Sequence, residues 1–166
     1  MELYKLNNGV PIDELVHKVM VEIALNKEST YDYSISKGAG ARGMFQLTDT
    51  TYKSLRKLYP KAHLDKNFVR GAADHMNAAQ AALLLFDSDL SSLRPDFRKW
   101  LLAQDPKDLA RVLAVAYNAG IDDVIMASGQ VSGTSPSNWV GSLKDETQGY
   151  VAKFDQAWDF MQKGDL

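Results

Sequence analysis

The sequence predicts a mainly α-helical single domain, and three observations predict it. Apolar residues recur at helical spacing through most of the 166-residue chain, Val/Ile-rich alternating runs are nearly absent, and no linker, low-complexity tract or internal repeat divides it. A chain of this length buries roughly 70% of the surface its unfolded form exposes, so residues 1–166 can hold one independent core without a disulfide or metal staple.

Composition narrows the partners. With 45% apolar residues, 24% charged residues and a formal charge of -2, the chain is an ordinary globular sequence without the basic excess of a nucleic-acid binder. The absence of cysteine excludes disulfides, thiolate metal sites and a cysteine nucleophile. No apolar run reaches the roughly 18 residues of a membrane span. The start Met1-Glu2-Leu3-Tyr4 lacks the basic-then-apolar pattern of a signal peptide, so any export is expected to rely on something outside this sequence.

The elements follow in order. Behind Pro11, a residue suited to a first turn, Ile12, Leu15, Val16, Val19, Met20, Ile23 and Ala24 predict a helix to about Lys27. Tyr31 to Ser36 alternates, so at most a small extended segment is expected near 31–37. Asp49 is the expected N-cap of a helix that turns Tyr52, Leu55 and Leu58 inward and stops at Pro60. An Ala/Leu-rich stretch runs from about Asn67 to Phe86. Asp105-Pro106 opens a helix whose Leu109, Val112, Leu113 and Ala116 form a stripe ending at Tyr117, with Gly120 as its stop. Gly129 to Asn138 reads as a turn-rich surface loop. Asp145 and Gln148 have capping-box spacing before a last helix that turns Val151, Phe154, Trp158 and Met161 to one side.

Three motifs weigh little. Gly38-x-Gly40-x-x-Gly43 matches a dinucleotide-binding fingerprint, but that fingerprint works inside a parallel sheet that this chain has no strands to build. Asp87-x-Asp89-x-Ser91 resembles the start of a calcium loop, yet Ser92 occupies the obligatory glycine position and Arg98 the final glutamate position, so a solvated turn is expected. His17, His63 and His75 each lack a ligand partner at metal-binding spacing. No metal site and no cofactor are expected.

Glu28 carries the chemistry. It closes the first helix, and beyond it Gly38-Ala39-Gly40-Ala41-Arg42-Gly43 bends into Met44-Phe45-Gln46. A carboxyl at a helix end, facing a loop only small residues could form, with an amide and two bulky apolar side chains beside it, reads as a cleft holding one acid. Glu28-Ser29, Gly40-Ala41-x-Gly43-Met44-Phe45-Gln46, Ala116-Tyr117-Asn118-Ala119-Gly120 and Glu146-Thr147-x-x-Tyr150-Val151 resemble, in order, the motifs of the soluble lytic transglycosylases, lysozyme-like enzymes that cut peptidoglycan. Asn67-Phe68-x-x-Gly71-Ala72 resembles the stretch that opens the family's middle helix, so the likeness spans about positions 12 to 160.

The resemblance implies a lysozyme-like fold in which Glu28 is the sole catalytic acid/base. It would protonate the glycosidic oxygen between N-acetylmuramic acid and N-acetylglucosamine, then deprotonate the muramic 6-hydroxyl as that oxygen closes on C1. The product would be a 1,6-anhydro sugar, with no water consumed. A carboxyl that donates a proton must be held above its ordinary pKa, and a helix C-terminus contributes only about 0.3–1 kcal/mol toward that. Desolvation by Met44, Phe45 and Tyr117 is expected to supply the rest.

Substrate-binding roles are implied for Met44, Phe45, Gln46, Tyr117, Asn118 and Tyr150, whose amides and rings suit N-acetyl groups and sugar faces. Gly40 and Gly43 are expected to serve the backbone. The family's serine, nine residues after the acid, falls here at Lys37, and the neighbouring Ser36 is the candidate. Leu47-Thr48 replaces the family's Met-Pro, and the long interval from Gln46 to Tyr117 predicts an extra lobe around Phe86 to Gln104.

The implied partner is the peptidoglycan glycan strand, and the chain is expected to be monomeric and to act on the bacterial wall from the periplasm, the exterior or a phage particle. Two alternatives stand beside the lyase. A goose-type muramidase would hydrolyse the same bond using a second carboxylate, for which Asp32, Asp49, Asp122 and Asp123 are conceivable. A silent glycan-binding or wall-assembly module would hold the strand uncut.

Overall fold

The computed structural model describes residues 40–43 and 45–162, the side chains of Phe160 and Met161 excepted. The predicted first helix and the segment near 31–37 lie outside these residues. Within them are eight α-helices and no sheet, and the only extended pairing is an antiparallel bridge between Arg42 and Leu47. The mainly α reading therefore holds.

Helix α1 is Asp49–Leu58, and its cap is Thr48 rather than Asp49. The Thr48 hydroxyl accepts from the Thr51 amide at 3.2 Å, which puts Asp49 in the first turn, facing the positive end of the helix and pairing with Lys53 at 2.6 Å. Tyr52 and Leu55 point inward, but Leu58 is 59% exposed. Pro60 ends the helix as expected and begins the 3-10 turn Pro60–Ala62, after which Ala62 and Leu64 take the buried positions that Leu58 does not reach.

The Ala/Leu-rich stretch is two helices, α2 (Phe68–Ala73) and α3 (His75–Ser92), separated by Asp74. Asp74 has extended backbone angles, ends α2, and caps α3 by accepting from the Asn77 amide at 2.8 Å. Asp87 and Asp89 lie inside α3, and both are buried, so the predicted solvated turn is absent. The apolar residues on either side continue the helix through them. Asp87 Oδ2 accepts from the Tyr59 hydroxyl at 2.6 Å.

Helix α4 (Pro95–Leu101) follows, opened by a proline. The region around Phe86 to Gln104 does not stand apart as a lobe. Phe86, Leu90, Leu93, Phe97 and Leu101 all belong to the main core, because α4 turns its Phe and Leu back onto the end of α3.

Helix α5 (Pro106–Ala119) is capped by Asp105, which accepts from the Lys107 amide at 2.7 Å, and it buries the predicted stripe. Gly120 ends it, and α6 (Ile121–Ser128) starts at the next residue. Helix α7 (Pro136–Val140) takes the end of what read as a loop to Asn138, since Pro136 suits a first turn and Trp139 is drawn into the core. Helix α8 is Asp145–Gln162. It starts at Asp145 itself, so Asp145 charges the first turn instead of closing a capping box, and the Gln148 side chain donates through Nε2 to the Leu143 carbonyl at 2.7 Å. No helix among the described residues is long and apolar enough to cross a membrane.

Two apolar clusters share α5. One face of this helix carries Leu109, Val112, Leu113, Val115 and Ala116 into the main core; another sets Ala110 and Ala114 against Phe154 and Trp158 of α8. Arg111 ties the pair at its edge, donating to Asp155 at 2.7 Å and to Asp108 at 2.9 Å.

Candidate active site

The Gly/Ala-rich bend makes a short turn between two paired backbones. Arg42 and Leu47 exchange hydrogen bonds of 2.9 and 3.2 Å, and the Gln46 amide donates to the Gly43 carbonyl at 3.1 Å. Gly43 has φ +72° and sits against α2 so closely that a Cβ would stand 1.9 Å from the Ala72 carbonyl oxygen, so no other residue fits there. Gln46 is also left-handed, at φ 47°, a conformation that few non-glycine residues adopt.

Two sequence-derived residues of this turn, Phe45 and Gln46, have a definite place. Phe45 is 1% exposed and packs in the main core, so it supports the turn from behind. Gln46 is exposed, and its Nε2 donates to the Gly43 carbonyl at 2.8 Å. That bond uses one of the amide's donors, leaving Oε1 and a second N–H for a ligand. Met44, Glu28 and Ser36 lie outside the described residues.

The C-terminal turn of α5 meets this bend. The Tyr117 hydroxyl donates to the Phe45 carbonyl, and the Tyr117 ring packs on Phe86 with centroids 5.8 Å apart. Burial raises the pKa of Tyr117, which keeps the phenol protonated as a donor. Asn118, next along, is exposed, and its amide has no partner among the described residues. Tyr150 on α8 is half-buried beside Ala110, Ala114 and Phe154, and its pKa is raised first by burial and then by the neighbouring Tyr117. The structure thus brings Phe45, Gln46, Tyr117, Asn118 and Tyr150 into one region, built from the bend, the end of α5 and the start of α8.

The proposed second carboxylates look different. Asp49 opens α1 and pairs with Lys53, while Asp122 and Asp123 occupy the first turn of α6, where negative charge stabilises a helix end. Asp32 lies outside the described residues. Among those residues no group of three or more His, Cys, Asp or Glu side chains is placed to hold a metal ion. Nothing in the sequence pattern marked Ala72 as the support beneath Gly43; the family-like Gly71-Ala72 pair was the available signal.

No curated protein and no solved structure shows a significant match to the chain. The family described as Transglycosylase SLT domain matches residues 13–140, a span that holds Glu28, the whole bend and the Tyr117-Asn118 pair. On this match, which covers well over half of its length, the chain belongs to the soluble lytic transglycosylase family, whose members act on peptidoglycan.

Proposed function

We propose that this domain cleaves peptidoglycan as a lyase, with Glu28 as its only acid/base. Glu28 donates its proton to the oxygen linking N-acetylmuramic acid to N-acetylglucosamine, and the C1–O bond breaks. The muramic 6-hydroxyl oxygen then bonds to C1 while the Glu28 carboxylate takes the hydroxyl proton. The acid is regenerated, no water enters, and the chain ends in a 1,6-anhydro sugar. Gln46 and Asn118 bind N-acetyl and hydroxyl groups through their free amide atoms, and Tyr150 offers a ring face to a sugar. Ser36 and Met44 also take part in binding the glycan strand. The domain works alone, as a monomer without a cofactor, on the wall side of the membrane.

The observation that carries this reading is the bond from the Tyr117 hydroxyl to the Phe45 carbonyl, which joins two motif segments inside the matched span. Mass spectrometry of digested sacculi tests it. Anhydro-muramyl ends are the expected product; reducing muramyl ends would make the enzyme a hydrolase, and sacculi bound but uncut would make it a silent module. Glu28→Gln is expected to lower cleavage by at least about 10²–10⁴-fold, the usual share of a general acid, while sacculus binding persists.

A further inference from the structure

Asn77 is a hub between four segments. Its Oδ1 accepts from the Asp65 amide at 2.9 Å, and its Nδ2 donates to the Gly71 carbonyl at 2.8 Å and to the Tyr52 hydroxyl at 2.6 Å. Both amide donors are therefore used, and the side chain ties α1, the turn before α2, the body of α2 and the first turn of α3 together. Its own backbone amide is held by Asp74. The knot is tight: a Cβ on Gly71 would lie 2.1 Å from the Tyr52 hydroxyl and 2.9 Å from Asn77 Nδ2.

The residue after Gly71 carries the consequence. Ala72 is buried, and its carbonyl oxygen is the atom against which Gly43 rests. Helix α2 is thus gripped by Asn77 through one residue and supports the Gly40–Leu47 bend through the next. The contact has no slack on the side of the bend, so any shift of α2 toward Gly43 must displace the bend. Displacement would alter both Gln46 and the Phe45 carbonyl that receives Tyr117.

We propose that Asn77 is a positioning residue for glycan binding, acting through Gly71 and Ala72 to set the height of the Gly43–Gln46 turn. The proposal rests on the reading of that turn as part of the substrate groove. It goes beyond the motif residues, because Asn77 belongs to none of the motifs.

Asn77→Ala tests it with two readouts. With purified glycan strands, KM is expected to rise about tenfold with kcat within about twofold, the signature of lost uniform binding. In hydrogen exchange, the amides of Gln46 and Leu47 are expected to exchange about tenfold faster, while those of Leu113 to Ala116 in α5 keep their rates. Asp105→Ala, a cap change on α5, serves as the control for general destabilisation and is expected to alter neither KM nor exchange in the bend. An unchanged KM together with unchanged exchange at Gln46 and Leu47 overturns the proposal, as does equal acceleration in the bend and α5. If the wild type leaves sacculi uncut, the lyase reading falls, and the exchange pattern still decides whether Asn77 sets the bend.

Discussion

Asp89 is a carboxyl group whose buried environment is at odds with its charge. It is 7% exposed, its Oδ2 has no hydrogen-bond partner among the described residues, and burial lifts its pKa to about 7 from a usual value of 3.8. The unfolded chain therefore releases this proton near pH 4 and the folded chain only near neutrality. Between those limits the folded state holds more protons, so stability falls as pH rises and levels off above about pH 7. The full difference is on the order of 4 kcal/mol at most, since a pKa unit is about 1.4 kcal/mol. Asp89→Asn removes the titration while keeping the shape. Its urea midpoint is expected to exceed that of the wild type at pH 8, and the gap is expected to shrink or vanish at pH 4.5. A constant gap across that range would mean that Asp89 does not titrate with folding. No sequence pattern announced this burial, because Asp87 and Asp89 look like turn residues until the helix around them is seen.

At the scale of elements, what the sequence disclosed depended on whether the signal was local. Helices α1, α5 and α8 were legible because each has several apolar residues at helical spacing and a proline or acidic residue near its start. Their caps were less so: Thr48 displaced Asp49 because the cap is chosen by backbone direction at the end of the bend, which spacing does not encode. Short helices α4, α6 and α7 were missed because none is longer than 8 residues, too few to show a helical period, and tertiary burial of Phe97, Val124 and Trp139 decides them. The site divided in the same way. Gln46, Tyr117, Asn118 and Tyr150, the proposed glycan-binding residues, were readable as motif residues, while Ala72 and Asn77 make their contacts across the chain and have no spacing to betray them. Where a cap is local, its effect should be local too. Asp105→Ala is expected to cost about 1 kcal/mol of stability in denaturant unfolding, the ordinary worth of an N-cap. KM for glycan strands should stay unchanged, because Asp105 lies at the opposite end of α5 from Tyr117. A shift in KM as large as that in Asn77→Ala would show that strain travels the length of α5.

For the whole molecule, α5 is the element that makes two clusters one unit. Its Leu113 belongs to the main core and its Ala114 to the cluster under α8, so the two cannot separate without stripping one face of a shared helix. Arg111, bonded to both Asp108 and Asp155, adds a tie that is partly screened from solvent. The single-domain reading of residues 1–166 makes this coupling a measurable quantity. Phe154 is fully buried between Trp158, 5.8 Å away centroid to centroid, and the α5 alanines. Phe154→Ala removes most of a buried ring, a change that costs about 3–5 kcal/mol. If the clusters unfold together, native-state hydrogen exchange should find the opening energy of the Leu113 amide in α5 lowered by the same amount as that of the Phe154 region in α8. A drop confined to α8, with Leu113 unmoved, would mean that the last helix opens by itself. Because Tyr150 lies on that helix, the proposed groove would then lose the part assigned to Tyr150 without any change at Gln46 or Tyr117.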